Sequence, residues 1–327
     1  MTRKRSICNA FASISLAAAV VGCASTVSPS ARAVLAKPAT GYVTVEGGKV
    51  AYWIHGTGTR TPLLVLHGGP GVPHDDLENL ALLGDERPVV FYDQLGCGKS
   101  DRPEDPKLWT RERFAREVDM VRRALGLDEV ILCGHSWGTI LAVDSITGMA
   151  GAPSSGIRGV ILAGPALSIP RWHDDSRRLI AALPEPVASA ILEGERTGQT
   201  DSKAYLDATE AFYKRHICRS EPWPDALNRA FAGLGKEVYS TMNGPTEFTV
   251  TGSLKSVDVT PRLANLGVPV LYICGEHDEA TPESTRGYAA LTPNSECVVI
   301  AGAAHVANYD RPIEYLAALR AWMAKVR

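Results

Sequence analysis

The 327 residues carry 45% hydrophobic and 21% charged side chains and a net charge of −2. That length bounds the chain to one large or two small domains, and the hydrophobic share suffices for a sizeable core. The near-neutral balance, with no basic patch interleaved with aromatics, argues against a nucleic-acid partner.

The first 22 residues differ in kind from the rest. Arg3-Lys4-Arg5 precede a mostly apolar run, Ile7 to Val21, that ends in Gly22-Cys23. This is the layout of a secretory signal, too short and interrupted for a membrane span. Val20-Val21-Gly22-Cys23 resembles a bacterial lipobox, with Val20 in place of the usual leucine. The resemblance implies that Cys23 becomes the lipidated first residue of an exported protein held to a membrane by that lipid alone. A plain cleaved signal and an uncleaved anchor are the alternatives. Residues 23–40, rich in Ser, Ala and Pro, read as a tether. Cys97, Cys133, Cys218, Cys274 and Cys297 are scattered and odd in number, which suits buried thiols better than disulfides. The Cys and His residues show no metal-ligand spacing.

Tyr42–Val45 and Val50–Ile54, separated by Gly47-Gly48, read as a β-hairpin. Leu63–Leu66 and Val89–Tyr92 are continuous apolar runs, suited to strands buried on both faces. The first ends in His67-Gly68-Gly69-Pro70-Gly71, the second in Asp93-Gln94-Leu95-Gly96-Cys97-Gly98-Lys99-Ser100. Gly98-Lys99-Ser100 is not a phosphate loop, because Asp93 stands where that motif needs a glycine. Thr110 opens a helix with Phe114, Val118, Val121 and Leu125 at helical spacing, and Gly126 stops it. Further buried strands follow at Glu129–Cys133 and Gly159–Ala163. This rhythm predicts a mostly parallel sheet covered on both faces by helices. It lapses over residues 166–266, where helical stretches around Leu179–Leu192, Ala204–Ile217 and Ala226–Tyr239 read as a cap inserted after the sixth strand. Strands resume at Val268–Ile273 and Cys297–Ile300, and a helix over Ile313–Val326 ends the chain. The core thus comprises residues 41–165 and 267–327.

The chemistry centres on Gly134-His135-Ser136-Trp137-Gly138. A buried strand that turns sharply into an apolar helix at a serine between glycines is the nucleophile elbow of an α/β-hydrolase fold. A side chain at either glycine would collide with the neighbouring strand or helix. The serine hydroxyl needs a base, and the base an orienting carboxylate, in the chain order Ser, acid, His. Asp278 and His305 follow the two later strands at the sheet edge where Ser136 lies. Glu276 and Glu279 are weaker alternatives for the acid. His277 and His135 each adjoin another triad element and suit the base poorly. The N–H groups of Trp137 and Gly69 are the candidate oxyanion donors, and Gly68 lets the backbone approach a substrate closely.

The HGGPG loop, the DQ-x-G-x-G-x-S loop, the elbow and Met242-Asn243-Gly244-Pro245-Thr246-Glu247-Phe248 together resemble the proline iminopeptidase (prolyl aminopeptidase) family over residues 41–327. The resemblance implies an α/β-hydrolase core with a helical cap and removal of an N-terminal residue, often proline, from small peptides. It also implies that the mechanism needs no metal or organic cofactor. Recognition of a free amine calls for buried carboxylates. Glu247 matches the family's cap glutamate, and Glu221 and Glu210 are candidates for a second. Trp137, Phe212, Tyr213, Trp223 and Phe248 are candidate walls for a proline ring. An amino-acid amidase or small-ester esterase with the same triad is the alternative. A non-catalytic binding lipoprotein is the remote one, and it has no need of a triad.

Overall fold

A computed structural model describes residues 39–149, 151 and 155–326. The signal, Cys23 and most of the tether lie outside the described residues. Ala39 and Thr40, assigned to the tether from sequence, instead begin the first strand, paired with Ile54 and Trp53.

One eight-stranded sheet runs in the order β1-β2-β4-β3-β5-β6-β7-β8. β1 (Ala39–Val45) and β2 (Gly48–His55) form the antiparallel hairpin, and β2 also pairs antiparallel with β4 (Val89–Tyr92). The remaining strands are parallel: β3 (Leu63–Leu66), β5 (Val130–His135), β6 (Ile157–Ala163), β7 (Val270–Gly275) and β8 (Ser295–Ile300). Alternate residues feed two cores. Leu64, Leu66, Val90, Leu132 and Val160 pack under α1 (Arg111–Ala124) and α2 (Trp137–Ile146). Leu63, Val65, Phe91, Ile131 and Ile161 pack under a 3-10 stretch, His74–Asp85, and the C-terminal helix. Burial on both faces explains why these strands read as unbroken apolar runs. β8 is an edge strand, so Cys297 is exposed, against the expectation of a buried thiol. All five described cysteines are free.

Between β6 and β7 lie α3 (Ile169–Ala181), α4 (Glu185–Thr197), α5 (Lys203–His216), α6 (Asp225–Ala232) and α7 (Lys236–Met242). The Leu179–Leu192 stretch is divided at its prolines, and Ala226–Tyr239, read from sequence as one helix, is divided as well. Pro184 separates α3 from α4, and Pro186 sits in the first turn of α4, where it forfeits no helical hydrogen bond. α6 and α7 part at Gly233–Gly235, where a Cβ on Gly235 would come within 2.3 Å of the Gly96 carbonyl oxygen. The chain leaves the helix there to lie against the loop after β4. The cap has its own core, built on Ile180, Ile191, Tyr205, Phe212 and Phe248. After β7, α8 (Pro282–Ala290) leads to β8, followed by the short α9 (Ala307–Asp310) and α10 (Pro312–Met323).

The strand order sets the position of the site. From β3 the chain steps outward to β4, then returns to lay β5 on the opposite side of β3. The loops leaving β3 and β5 therefore diverge, and the crevice between them is where ligands bind in open α/β sheets.

Candidate active site

Ser136 sits at the turn from β5 into α2 with φ 54° and ψ −121°, a strained conformation for a non-glycine residue. The adjacent glycines are sterically required. A Cβ on Gly134 would lie 2.3 Å from the Gly138 carbonyl oxygen, and one on Gly138 would lie 2.0 Å from that of Leu66. The Ser136 N–H donates to the Ala163 carbonyl at 2.9 Å, fixing the turn against β6.

Asp278 and His305 come together at the ends of β7 and β8. The His305 Nδ1 lies 2.7 Å from Asp278 Oδ1, and both side chains are buried. The carboxylate also accepts from the main-chain N–H of Ala280 at 2.7 Å and of Gly275 at 3.3 Å, which fixes its orientation. Burial pulls the His305 pKa down, but Asp278, by charge and hydrogen bond, together with Glu279 and Glu247, outweighs it and raises the group to about 9. Ser136 and His305 line one cavity. Glu276 turns outward, accepting from the Gly302 N–H, and His277 lies beside it at the surface. His135 faces inward. Its ring centroid is 4.5 Å from that of His305, and it borders the cavity.

The loop after β3 brings Gly68 over the serine, where a Cβ would meet Ser136 Cβ at 3.1 Å. Gly69 has φ 107°, open to glycine alone in practice. The Trp137 N–H opens α2 and, like any first-turn donor, has no intrahelical acceptor; the helix dipole adds positive potential there. Gly69, Ser136 and Trp137 border a common cavity.

The function of Gln94 becomes clear only in three dimensions. Its N–H donates to His67 Nε2 at 2.8 Å, and its amide donates to the His67 carbonyl at 3.0 Å. Its Oε1 accepts from Trp137 Nε1 at 3.0 Å. One side chain thus ties the glycine loop to the elbow helix. Burial lowers His67 to about 4, so the ring is neutral. With Nε2 accepting, Nδ1–H donates to the Gly68 carbonyl at 3.0 Å.

Acidic groups gather on the cap side. Glu247 is part-buried and its Oε1 accepts from the Tyr239 hydroxyl at 2.6 Å. Burial pushes its carboxyl up, against the opposing pulls of Tyr239 and His305. Glu279 is completely buried, and neither carboxyl oxygen has a hydrogen-bond partner among the described residues. Burial pushes it well above the usual carboxylate range; His305 opposes this, while Glu247 and Asp278 add to it. Glu247, Glu279 and His305 therefore sense one another's charge. The second candidate carboxylate is Glu279, considered from sequence only as an alternative acid for the triad. Glu210 and Glu221 are corrected: unlike Glu279, neither is among the main charges that act on His305. Glu210 pairs with Lys214 on the outer face of α5, and Glu221 is exposed. The inner face of α5 is spent on Tyr205, Ala208 and Phe212.

The aromatic walls also differ from expectation. Phe212 and Phe248 belong to the cap core, and Trp223 stacks on Phe231. Trp172, absent from the sequence reading, lies edge-to-face with His305 at 5.8 Å and donates to the Glu247 carbonyl at 2.8 Å. With Trp137, Ile140, Ile169, Val250 and Leu254 it walls an apolar cavity that opens on Ser136.

Fold and elbow define an α/β-hydrolase, and residues 61–312 match the family model described as alpha/beta hydrolase fold. The proline iminopeptidase of Heyndrickxia coagulans is 43% identical over 85% of this chain and 96% of its own length. That of Saccharolobus solfataricus is 34% identical over 88% and 92% respectively. The crystal structure of a proline iminopeptidase from Mycobacterium smegmatis superposes with a TM-score of 0.81 at 32% identity, covering 88% of this chain and 98% of its own. The chain belongs to the proline iminopeptidase family of α/β-hydrolases, serine hydrolases of the prolyl aminopeptidase type.

Proposed function

We propose that the chain is a serine exopeptidase that releases an N-terminal residue, proline foremost, from small peptides. The observation that carries this reading is the pair of carboxylates, Glu247 and Glu279, beside His305. A buried acid without an internal partner is costly, and a substrate ammonium supplies the missing donor and charge. The apolar wall that Trp137 and Trp172 present beside Ser136 suits contact with a proline ring.

Ser136 Oγ attacks the carbonyl after the first residue while His305 Nε2 takes its proton. Asp278 holds the imidazole in orientation through Nδ1. The N–H groups of Gly69 and Trp137 receive the oxyanion. His305 then delivers the proton to the leaving nitrogen, and water resolves the acyl-enzyme by the same route. Burial raises the carboxyls of Glu247 and Glu279, and a substrate ammonium beside them favours their ionised forms. The test compares arylamides of proline, alanine and N-acetylproline. Cleavage of free proline with none of the blocked form supports the reading, and equal cleavage of both overturns it.

The basic, apolar, Gly-Cys layout of the N-terminus supports an exported form tethered through lipid on Cys23. Cys23→Ala should release the protein from the membrane fraction, and retention there would refute the lipid anchor.

A further inference from the structure

Two cavities meet at Ser136, sharing Gly69 and Glu247. One is the apolar cavity of Trp137 and Trp172. The other contains His305, together with Asp76 and His135. His305 passes its proton to the leaving nitrogen, so the portion of substrate beyond the scissile bond lies in this second cavity. That assignment rests on the exopeptidase reading above.

Asp76 and His135 are 4% and 3% exposed. Asp76 Oδ1 and His135 Nδ1 have no hydrogen-bond partner among the described residues. The side chains face each other, with Asp76 Oδ2 4.0 Å from His135 Nδ1, too far for a hydrogen bond. His135 Nε2 lies 3.1 Å from the His305 carbonyl oxygen and must donate to it. Burial keeps the ring neutral, so Nδ1 is a bare acceptor. The Asp76 main chain is held: its carbonyl accepts from Asn308 Nδ2 at 2.8 Å, and Asn308 is bonded in turn to Asn79. Burial raises the Asp76 carboxyl to about 7; in its ionised form it and His135 Nδ1 are two buried acceptors that face each other with no donor among the described residues. Buried acceptors of this kind call for an explanation. The remaining wall, including Val72, Ile217, Leu227 and Phe231, is apolar.

We infer that Asp76 and His135 form a leaving-group subsite that accepts an N–H from the residue following the scissile bond, and so favours peptide and amide leaving groups over the alkoxides of esters. Neither residue takes part in the proton transfers of Ser136. They act by binding the half of the substrate that departs, in a pocket that otherwise suits a small apolar side chain.

The test uses two substrates with the same acyl half and the same free amine, prolyl-alaninamide and proline methyl ester. The quantity read is kcat/KM, which covers steps only through acylation and is blind to hydrolysis of the shared prolyl-enzyme. In Asp76→Leu, kcat/KM for the peptide should fall about 10- to 100-fold, the discrimination lost when a site built for a polar donor loses its acceptor. The ester should fall several times less. Asp76→Asn, which keeps size and polarity, should shift the ratio in the same direction by less. Equal losses on both substrates, or no loss on either, would overturn the subsite. Failure of the exopeptidase reading shows elsewhere, as equal cleavage of N-acetylated and free prolyl substrates by the wild-type chain. It leaves the peptide-to-ester ratio readable.

Discussion

The polar groups that fix the triad acid and the glycine loop and those proposed to meet the substrate are arranged on opposite principles. Around the elbow, Asp278 accepts from His305 and two main-chain N–H groups, and Gln94 bonds His67 twice and Trp137 once. Elsewhere around the site, Glu279 and Asp76 hold buried oxygens that bond nothing among the described residues, and Glu247 has only the Tyr239 hydroxyl. Groups that must stay still through a reaction cycle are satisfied internally, which fixes their geometry. Groups that select a ligand are left with capacity to spare, and stability falls until the ligand supplies the partner.

The sharpest break on the catalytic side is Ser136→Ala. It should lower kcat/KM for proline arylamide roughly 10⁴-fold or more while leaving the thermal midpoint close to wild type. A residual rate near wild type would remove Ser136 from the mechanism. On the recognition side, Glu247→Gln and Glu279→Gln should each cost about 10²- to 10³-fold on the free-amine substrate, the scale of removing one partner from a buried charge pair. If either variant cleaves proline arylamide at the wild-type rate, that acid does not hold the amine.

Gln94→Leu tests the satisfied side by a different route. It removes the tie between glycine loop and elbow helix, so kcat should fall about 10- to 100-fold with KM little changed, as expected when oxyanion donors lose their positioning. A change confined to KM would place Gln94 in binding instead. The acid pair also predicts a pH effect. Glu279 is one of the negative groups that raise His305, so Glu279→Gln should let the imidazole deprotonate at lower pH. The acidic limb of the kcat/KM profile for an activated acetate ester, which has no amine, then moves to lower pH. A limb that stays put would mean Glu279 does not act on the base.

The smallest expected change is in stability. Glu279→Met replaces an unpartnered buried acid with an apolar side chain, and it should raise stability by on the order of 1 kcal/mol while destroying activity on free amines. A loss of stability in calorimetry would show that the acid has a structural partner after all.

The frame, and the motifs that depend on local backbone constraints, are legible in residue order alone. Unbroken apolar runs define strands buried on both faces, and Gly134 and Gly138 mark a turn whose crowding follows from covalent geometry. Asp278 and His305 were legible because strand order alone brings the ends of β7 and β8 to one edge. Thr110 and Gly126 likewise mark the ends of α1 through side-chain capping and positive φ. The helix breaks in the cap were not legible at Gly233–Gly235, because the demand for glycine comes from Gly96 in a distant loop. Tertiary structure alone tells the candidate acids apart. Glu210, Glu221 and Glu279 are equal as acids in a sequence; what separates them is which helix face is outward and which loop the cap covers. The same holds for Asp76, Gln94 and Trp172, whose roles rest on partners contributed by other elements. A hydrogen bond satisfied or withheld across such distances is a property of packing, and no local pattern encodes it.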